Sequence, residues 1–251
     1  MTGASRMQVT CATEAAPGAV NEDFVVAGPS WVVVLDGATA PAVVDSGCVH
    51  DVPWLVRNLA AGLATNLALR DEPLADVLAS AIERVRAEHL GNCDLGNPSS
   101  PSSTVSMLRL RADVVEYLVL ADSPVLLDVG GAVRAVVDDR LDHLPGYDVE
   151  TVAACRNQPG GFWVASTDPD AAFEAVRGSV AVSEVPRAAV LSDGASRYVE
   201  RFGLSDWAGL LDLLDSAGPG ELLSRVRAAE VSAGQQRGKR HDDATAALIR
   251  F

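Results

Sequence analysis

The chain has 251 residues, enough for one large domain or two small ones, and its 48% hydrophobic and 22% charged residues exclude wholesale disorder. Against 20 Lys and Arg stand 34 Asp and Glu, a formal net charge of -14. That field repels phosphate backbones and anionic membranes, so a general nucleic-acid binder is excluded and divalent cations, basic peptides or metal-bridged anions are favoured.

The segment up to Asp23 has no long apolar core of a signal peptide, and no later run reaches the roughly 18 apolar residues of a membrane span. A cytoplasmic protein without membrane or nucleic-acid partners is expected. Residues 7–13 alternate weakly and predict an opening strand. The turn-like AAPGAVNED leads to FVVAG and WVVVLDG, of which Trp31–Leu35 is continuously apolar and β-branched and predicts a fully covered sheet strand. It runs into Asp36-Gly37.

Residues 51–69 predict a helix with Asp51 as N-cap and Pro53 in its first turn. A second helix is predicted over 74–90, with Leu74, Val77, Leu78, Ile82 and Val85 on one side. A loop follows over 91–103, then strands TVSMLRLR, VVEYLVLAD, PVLLDV and GGAVRAVVDD. A short helix is predicted within 145–157, a strand at GFWVAS, a helical piece at DPDAAFEAV and sheet again through VAVSEVPRAAVLSDG. Asp206–Leu214 and Glu221–Ala233 predict helices, and ATAALIRF a final strand. Short connections between the central strands favour antiparallel pairing. The helices come in clusters, which predicts an α+β fold with sheets inside and helices outside, over a single domain of residues 1–251.

The four cysteines, Cys11, Cys48, Cys93 and Cys155, have no close paired spacing and read as free thiols in a reducing compartment. Cys48 and His50 are near enough to share a metal, but no further pair of ligands is identified. His50 otherwise reads as a helix-start or site-rim residue.

Acidic residues fall in blocks at turn–strand boundaries: Asn21-Glu22-Asp23, Asp36-Gly37, Asp193-Gly194 and Asp242-Asp243. Gathered in one pocket, such carboxylates raise one another's pKa, a conflict that hard cations with oxygen ligands remove. Taken alone, each Asp-Gly pair reads first as a turn.

The ordered blocks NED, LDGA, SSTV, LADS, LSDG and DDATAAL, from about residue 21 to 248, resemble those of the metal-dependent serine/threonine phosphatases of the 2C type, the PPM family, in a compact bacterial-like form. The resemblance implies a four-layer α-β-β-α sandwich, two antiparallel sheets flanked by helices, and two Mn2+ or Mg2+ ions. It makes Glu22 a ligand of one metal, Asp36 the bridging carboxylate, the Gly37 carbonyl a further ligand, and Asp193 and Asp242 ligands of the other metal. Asp23 becomes an orienting residue, Asp122 a holder of a weaker third metal, and Ser102, Ser103 and Thr104 a hydroxyl patch packed near the site. The implied reaction is direct hydrolysis of a phosphomonoester by a metal-bridging hydroxide, most simply on phosphoserine or phosphothreonine.

The chain departs from the family pattern at four places. Gly18 stands where many members carry a phosphate-clamping Arg, leaving Arg6 or an Arg of the 237–240 loop as substitutes. Ala38 replaces a His that protonates the leaving group, a task for which His241 is a candidate. Pro124 follows the LADS block in place of Arg, and Arg197 occupies an acidic position, where it binds either phosphate or a neighbouring side chain. These changes keep two alternatives open, a phosphatase for a small phosphorylated metabolite and a catalytically weak binding protein. A monomer or weak dimer acting on a phosphoprotein or small phosphorylated substrate is expected.

Overall fold

The computed structural model describes residues 7–40, 43–233 and 239–251. One five-stranded sheet runs β1 (Gln8–Glu14), β10 (Ala244–Arg250), β9 (Arg187–Leu191), β6 (Val125–Val129), β7 (Ala132–Val136). The other runs β2 (Phe24–Gly28), β3 (Trp31–Ala38), β4 (Ser102–Arg111), β5 (Val114–Leu120), β8 (Val176–Ala181). Every neighbouring pair is antiparallel.

The continuous apolar run of β3 has a simple cause: the strand is covered on both faces. Trp31, Val33 and Leu35 pack under α1 (Val52–Leu69) and α2 (Leu74–Glu88), together with Val105, Met107, Leu118 and Leu120. Val32 and Val34 point the other way, into a core shared by the two sheets with Leu108, Val119, Leu127, Val190 and Ile249. A third core joins the first sheet, through Leu126, Ala189, Leu191, Ala246 and Leu248, to α4 (Asp193–Glu200), α5 (Trp207–Ala217) and α6 (Pro219–Ser232). Three stacked cores between helices, sheet, sheet and helices make the expected four-layer sandwich.

The predicted first helix is present, and Asp51 caps it by accepting the Trp54 N–H at 2.8 Å, a contact worth about 1 kcal/mol. The short helix predicted within 145–157 is α3 (Val149–Cys155), and the DPDAAFEAV piece is the 3-10 helix Pro169–Glu174. Two expectations fail. GFWVAS is not a strand: only isolated bridges join Phe162 to Arg156 and Ala165 to Ser103. Its apolar side chains Phe162 and Val164 pack against Leu141, Leu144 and Val152 near α3, so burial there comes from a loop wall and not from a sheet. Nor does LSDG end as sheet and turn, because Asp193 and Gly194 open α4 directly from β9. Among the described residues no helix is long and apolar enough to cross a membrane.

Candidate metal centre and its cleft

A cleft of about 330 Å³ opens at one end of the sandwich. Asp36, Gly37, Asp122, Asp193 and Asp242 line it, brought from the end of β3, the β5–β6 turn, the start of α4 and the residues before β10. Four carboxylates that are far apart in sequence thus share one hollow. Ser102 and Thr104 of β4 line it as well, and Thr104 Oγ1 lies 2.7 Å from Ser123 Oγ, which ties the hydroxyl patch to the turn that carries Asp122.

Neither Asp-Gly pair is a turn. Asp36 and Gly37 lie within β3, opposite Thr104 and Ser103 of β4. The glycines serve close approach: a Cβ on Gly37 would stand 2.6 Å from the Glu22 carbonyl oxygen, and one on Gly194 would overlap the Asp243 carbonyl oxygen. Each glycine therefore lets another acidic block lie against it. Asp243 adds a latch, its Oδ1 accepting the Ala16 N–H at 2.7 Å and its Oδ2 the Glu22 N–H at 2.6 Å. Glu22 is further held by the Thr39 hydroxyl, which donates to Oε1 at 2.6 Å.

Negative charge outweighs positive in the cluster. Among the described residues Glu22, Asp23, Asp36, Asp122 and Asp193 form no salt bridge. Burial, then the charges of Asp23, Asp193 and Asp122, push the Asp36 carboxyl well above its ordinary range. Burial and Asp193 raise Asp122 to about 7. Burial likewise raises Asp23 to about 7, with Asp193 and Asp243 adding to it. Both Asp23 oxygens are buried without a hydrogen-bond partner among the described residues, and the Thr245 and Ser192 hydroxyls oppose the rise only in part. Asp193 rises through burial and Asp242, opposed by Arg197. A single Asp36–Asp193 contact, the Asp193 N–H donating to Asp36 Oδ2 at 3.2 Å, offsets little of this. An all-oxygen donor set, mutually repelling and carrying orphaned buried oxygens, is what Mn2+ or Mg2+ satisfies, so the residues fit such ions.

Asp242 differs from the others in having cationic partners, Arg197 and Lys239, the latter with Nζ 3.1 Å from Oδ1. Burial alone would lower the Lys239 ammonium, yet Asp242, Asp36 and Asp193 hold it above its ordinary value. Arg197 is buried and committed to Asp242 and Glu230, so it orients a carboxylate and does not present a free guanidinium to phosphate. His241 is likewise redirected, its Nδ1 bonding Glu230 at 2.7 Å, and it is not part of the cleft wall. The leaving-group acid assigned to it from sequence loses its support. Gly18 sits in an exposed turn with a φ of +78° and open space around it, consistent with no clamp from that place. Arg6 and Arg237 lie outside the described residues.

Among the polar residues of the cleft, the sequence reading missed Thr39 and Arg156. Arg156 follows α3, forms no ion pair among the described residues, and donates from Nη1 to the carbonyls of Pro98 at 2.8 Å and Ser100 at 2.6 Å. Burial lowers it to about 10. Lys239 lay within the 237–240 loop already singled out; Arg156 carried no signal in the sequence.

A family model, described as protein phosphatase 2C, matches residues 13–226. The chain belongs to the protein phosphatase 2C family. As a family member it is a metal-dependent protein phosphatase whose cations are Mn2+ or Mg2+. The phosphatase is similar in fold to PstP/Ppp, a serine/threonine phosphatase of Mycobacterium tuberculosis, with a TM-score of 0.65 at 17% identity over 98% of this chain and 99% of that one. It is also similar to PppA of Pseudomonas aeruginosa, with a TM-score of 0.61 at 18% identity over 98% of both chains. The PPM Ser-Thr phosphatase MsPP of Mycobacterium smegmatis gives 0.59 at 20% identity over 99% of this chain and 100% of that one. A comparison with curated protein sequences gives no significant match.

Proposed function

We propose that this phosphatase hydrolyses phosphoserine or phosphothreonine in proteins at the acidic cleft. In this reading Glu22, Asp36, the Gly37 carbonyl, Asp193 and Asp242 hold two metal ions, Asp122 serves a weaker third, and Asp23 orients the group from behind. The observation that carries it is the convergence of Asp36, Asp122, Asp193 and Asp242 on one cleft, three of them without a cationic partner among the described residues. Bound there, the ions supply Lewis acidity and an activated water, which the chain's own side chains lack.

The protein's part is positional. Asp243 and Thr39 fix Glu22, while Arg197, buried against Glu230, fixes Asp242. Lys239 and Arg156 are the cations that line the cleft; Lys239 stands in for the clamp that Gly18 cannot provide, while Arg156 is held by the carbonyls of Pro98, Ser100 and Pro101. The outer wall is apolar, built from Leu141, Tyr147, Val149, Val152, Phe162 and Val164. Tyr147 is 64% exposed. An apolar shelf beside an acidic floor suits a peptide whose flanking side chains bury carbon, and it offers little to a small polar metabolite.

Phosphate release from a panel of phosphopeptides and small phosphomonoesters with Mn2+ tests this, native chain against Asp36→Ala. Release from phosphopeptides that requires both Mn2+ and Asp36 is the expected result. Release confined to small phosphomonoesters overturns the substrate, and equal release by the variant overturns the site.

A further inference from the structure

A second cluster of ligating side chains lies outside the cleft, where α1 begins and α2 ends. Cys48 stands just before α1, His89 is the C-cap of α2, and Cys93 follows in the next loop. The chain holds these segments together independently: the Asp94 N–H donates to the Gly47 carbonyl at 2.8 Å, and Asn97 Nδ2 to the Asp45 carbonyl at 3.1 Å. Ligand atoms of Cys48, His89 and Cys93 all lie within 4.8 Å of one another.

We propose that Cys48, His89 and Cys93 form a zinc-type metal site, chemically distinct from the carboxylate centre. Cys48 Sγ is 3.6 Å from His89 Nδ1; sulfur at about 2.3 Å and nitrogen at about 2.0 Å from a tetrahedral zinc stand about 3.5 Å apart. The two Sγ atoms are 3.0 Å apart, beyond the roughly 2.0 Å of a disulfide and short of the roughly 3.8 Å edge of a zinc tetrahedron, which small rotations of both side chains reach. His89 is only 3% exposed, its Nε2 is buried without a partner, and among the described residues its imidazole makes its polar contact with Cys48. Aromatic packing fixes the ring, with Trp54 at 5.0 Å and His50 at 5.3 Å between centroids. A disulfide would join the two sulfurs and leave that oriented imidazole unused; a borderline-soft cation uses all three.

Thiolates and imidazole favour zinc strongly over Mn2+ and Mg2+, whereas the all-oxygen cleft suits the harder cations. The site would clasp the start of α1 to the loop that carries Pro98 and Ser99 into the cleft wall. It leaves a fourth position open towards solvent, since Cys48 and Cys93 are half-buried.

The test uses the full reduced chain with Mn2+ present. Added Co2+ should give a thiolate-to-cobalt charge-transfer band, which carboxylate ligands do not produce, and Zn2+ should bleach it at about one equivalent. The band should be lost in Cys93→Ser and in His89→Ala but retained in Asp36→Ala, so failure here is separable from failure of the phosphatase reading. Cys93 lies in a loop, and an unchanged far-ultraviolet spectrum confirms its variant folds. In alkylation mapping, zinc should protect Cys48 and Cys93 while Cys11 and Cys155 stay reactive. No charge-transfer band in the native chain, an equal band in Cys93→Ser, or a Cys48–Cys93 disulfide that persists under excess zinc would each overturn the proposal.

Discussion

At Gly194 and Gly37 the chain has no room for a methyl group, and the reason lies in what each glycine faces. A Cβ at Gly194 would overlap the Asp243 carbonyl, backbone that cannot swing aside. Gly194→Ala should therefore lower stability by about 3 kcal/mol, read as a shifted urea midpoint with unchanged slope. Gly220, helical and with open space around it, is the control: Gly220→Ala should be neutral or slightly stabilising. Equal effects at the two positions would mean that the β9–α4 junction is looser than described. Lys239 allows a second prediction at this scale, because it both faces the cleft and occupies Asp242. Lys239→Ala should raise KM for a phosphopeptide about tenfold with little change in kcat. The same change should tighten Mn2+ binding measured by calorimetry, since Asp242 loses a competing cation. Loss of Mn2+ affinity would assign Lys239 a supporting role for Asp242 instead.

Among the elements, α6 organises the second half of the site through one residue. Glu230 is buried and accepts from Arg197 of α4 at 3.4 Å, Arg227 at 2.9 Å and His241 at 2.7 Å. Those contacts fix α4 and the turn that carries Asp242. Burial would raise the Glu230 carboxyl, but the hydrogen bonds of His241 and Arg227 outweigh it and hold the group below its ordinary value of 4.5. A depressed carboxylate contributes stability that is fully present above its unfolded pKa and is lost as pH falls through the folded one. Glu230→Gln should cost about 3 kcal/mol at neutral pH, and the gap to the native chain should close as pH falls through and below the ordinary carboxyl value of 4.5. Urea unfolding across that range checks it; a gap independent of pH would show that Glu230 acts by packing alone.

For the whole molecule, the net charge of -14 and the cleft's apolar shelf act together on substrate choice. A field of that sign slows encounter with acidic phosphopeptides and speeds encounter with basic ones, over a range that salt shortens. With matched phosphopeptides, kcat/KM for the basic one should exceed that for the acidic one, and the ratio should fall towards unity between about 0.05 M and about 0.5 M NaCl. A ratio unaffected by salt would place the discrimination in short-range contacts within the cleft and not in the molecule's net field.

The buried strands were legible because burial on both faces demands unbroken apolar runs, and Trp31–Leu35 could satisfy that demand only as a covered strand. The same logic misled at GFWVAS, where Phe162 and Val164 are buried by α3 and its neighbours without pairing in a sheet. Helix α4 was hidden because it is short, starts with Gly in its first turn and has no side-chain cap bond to announce it. Of the candidate metal centre, the acidic blocks could be named from sequence, since carboxylates at strand ends in an order resembling the family's carry their own signal. Where His241 turns, and that Arg197 is braced by Glu230, depend on α6 lying beside α4, and what Asp243 holds depends on β10 pairing with β1. The sequence by itself determined the layers, because covered strands and amphipathic helices follow from local apolar pattern, and its family resemblance marked the acidic blocks as candidate ligands. Only the tertiary structure decided which charges meet, and only it could bring His89 to Cys48 across 41 positions, because such contacts are set by how helices pack and leave no periodic trace in the chain.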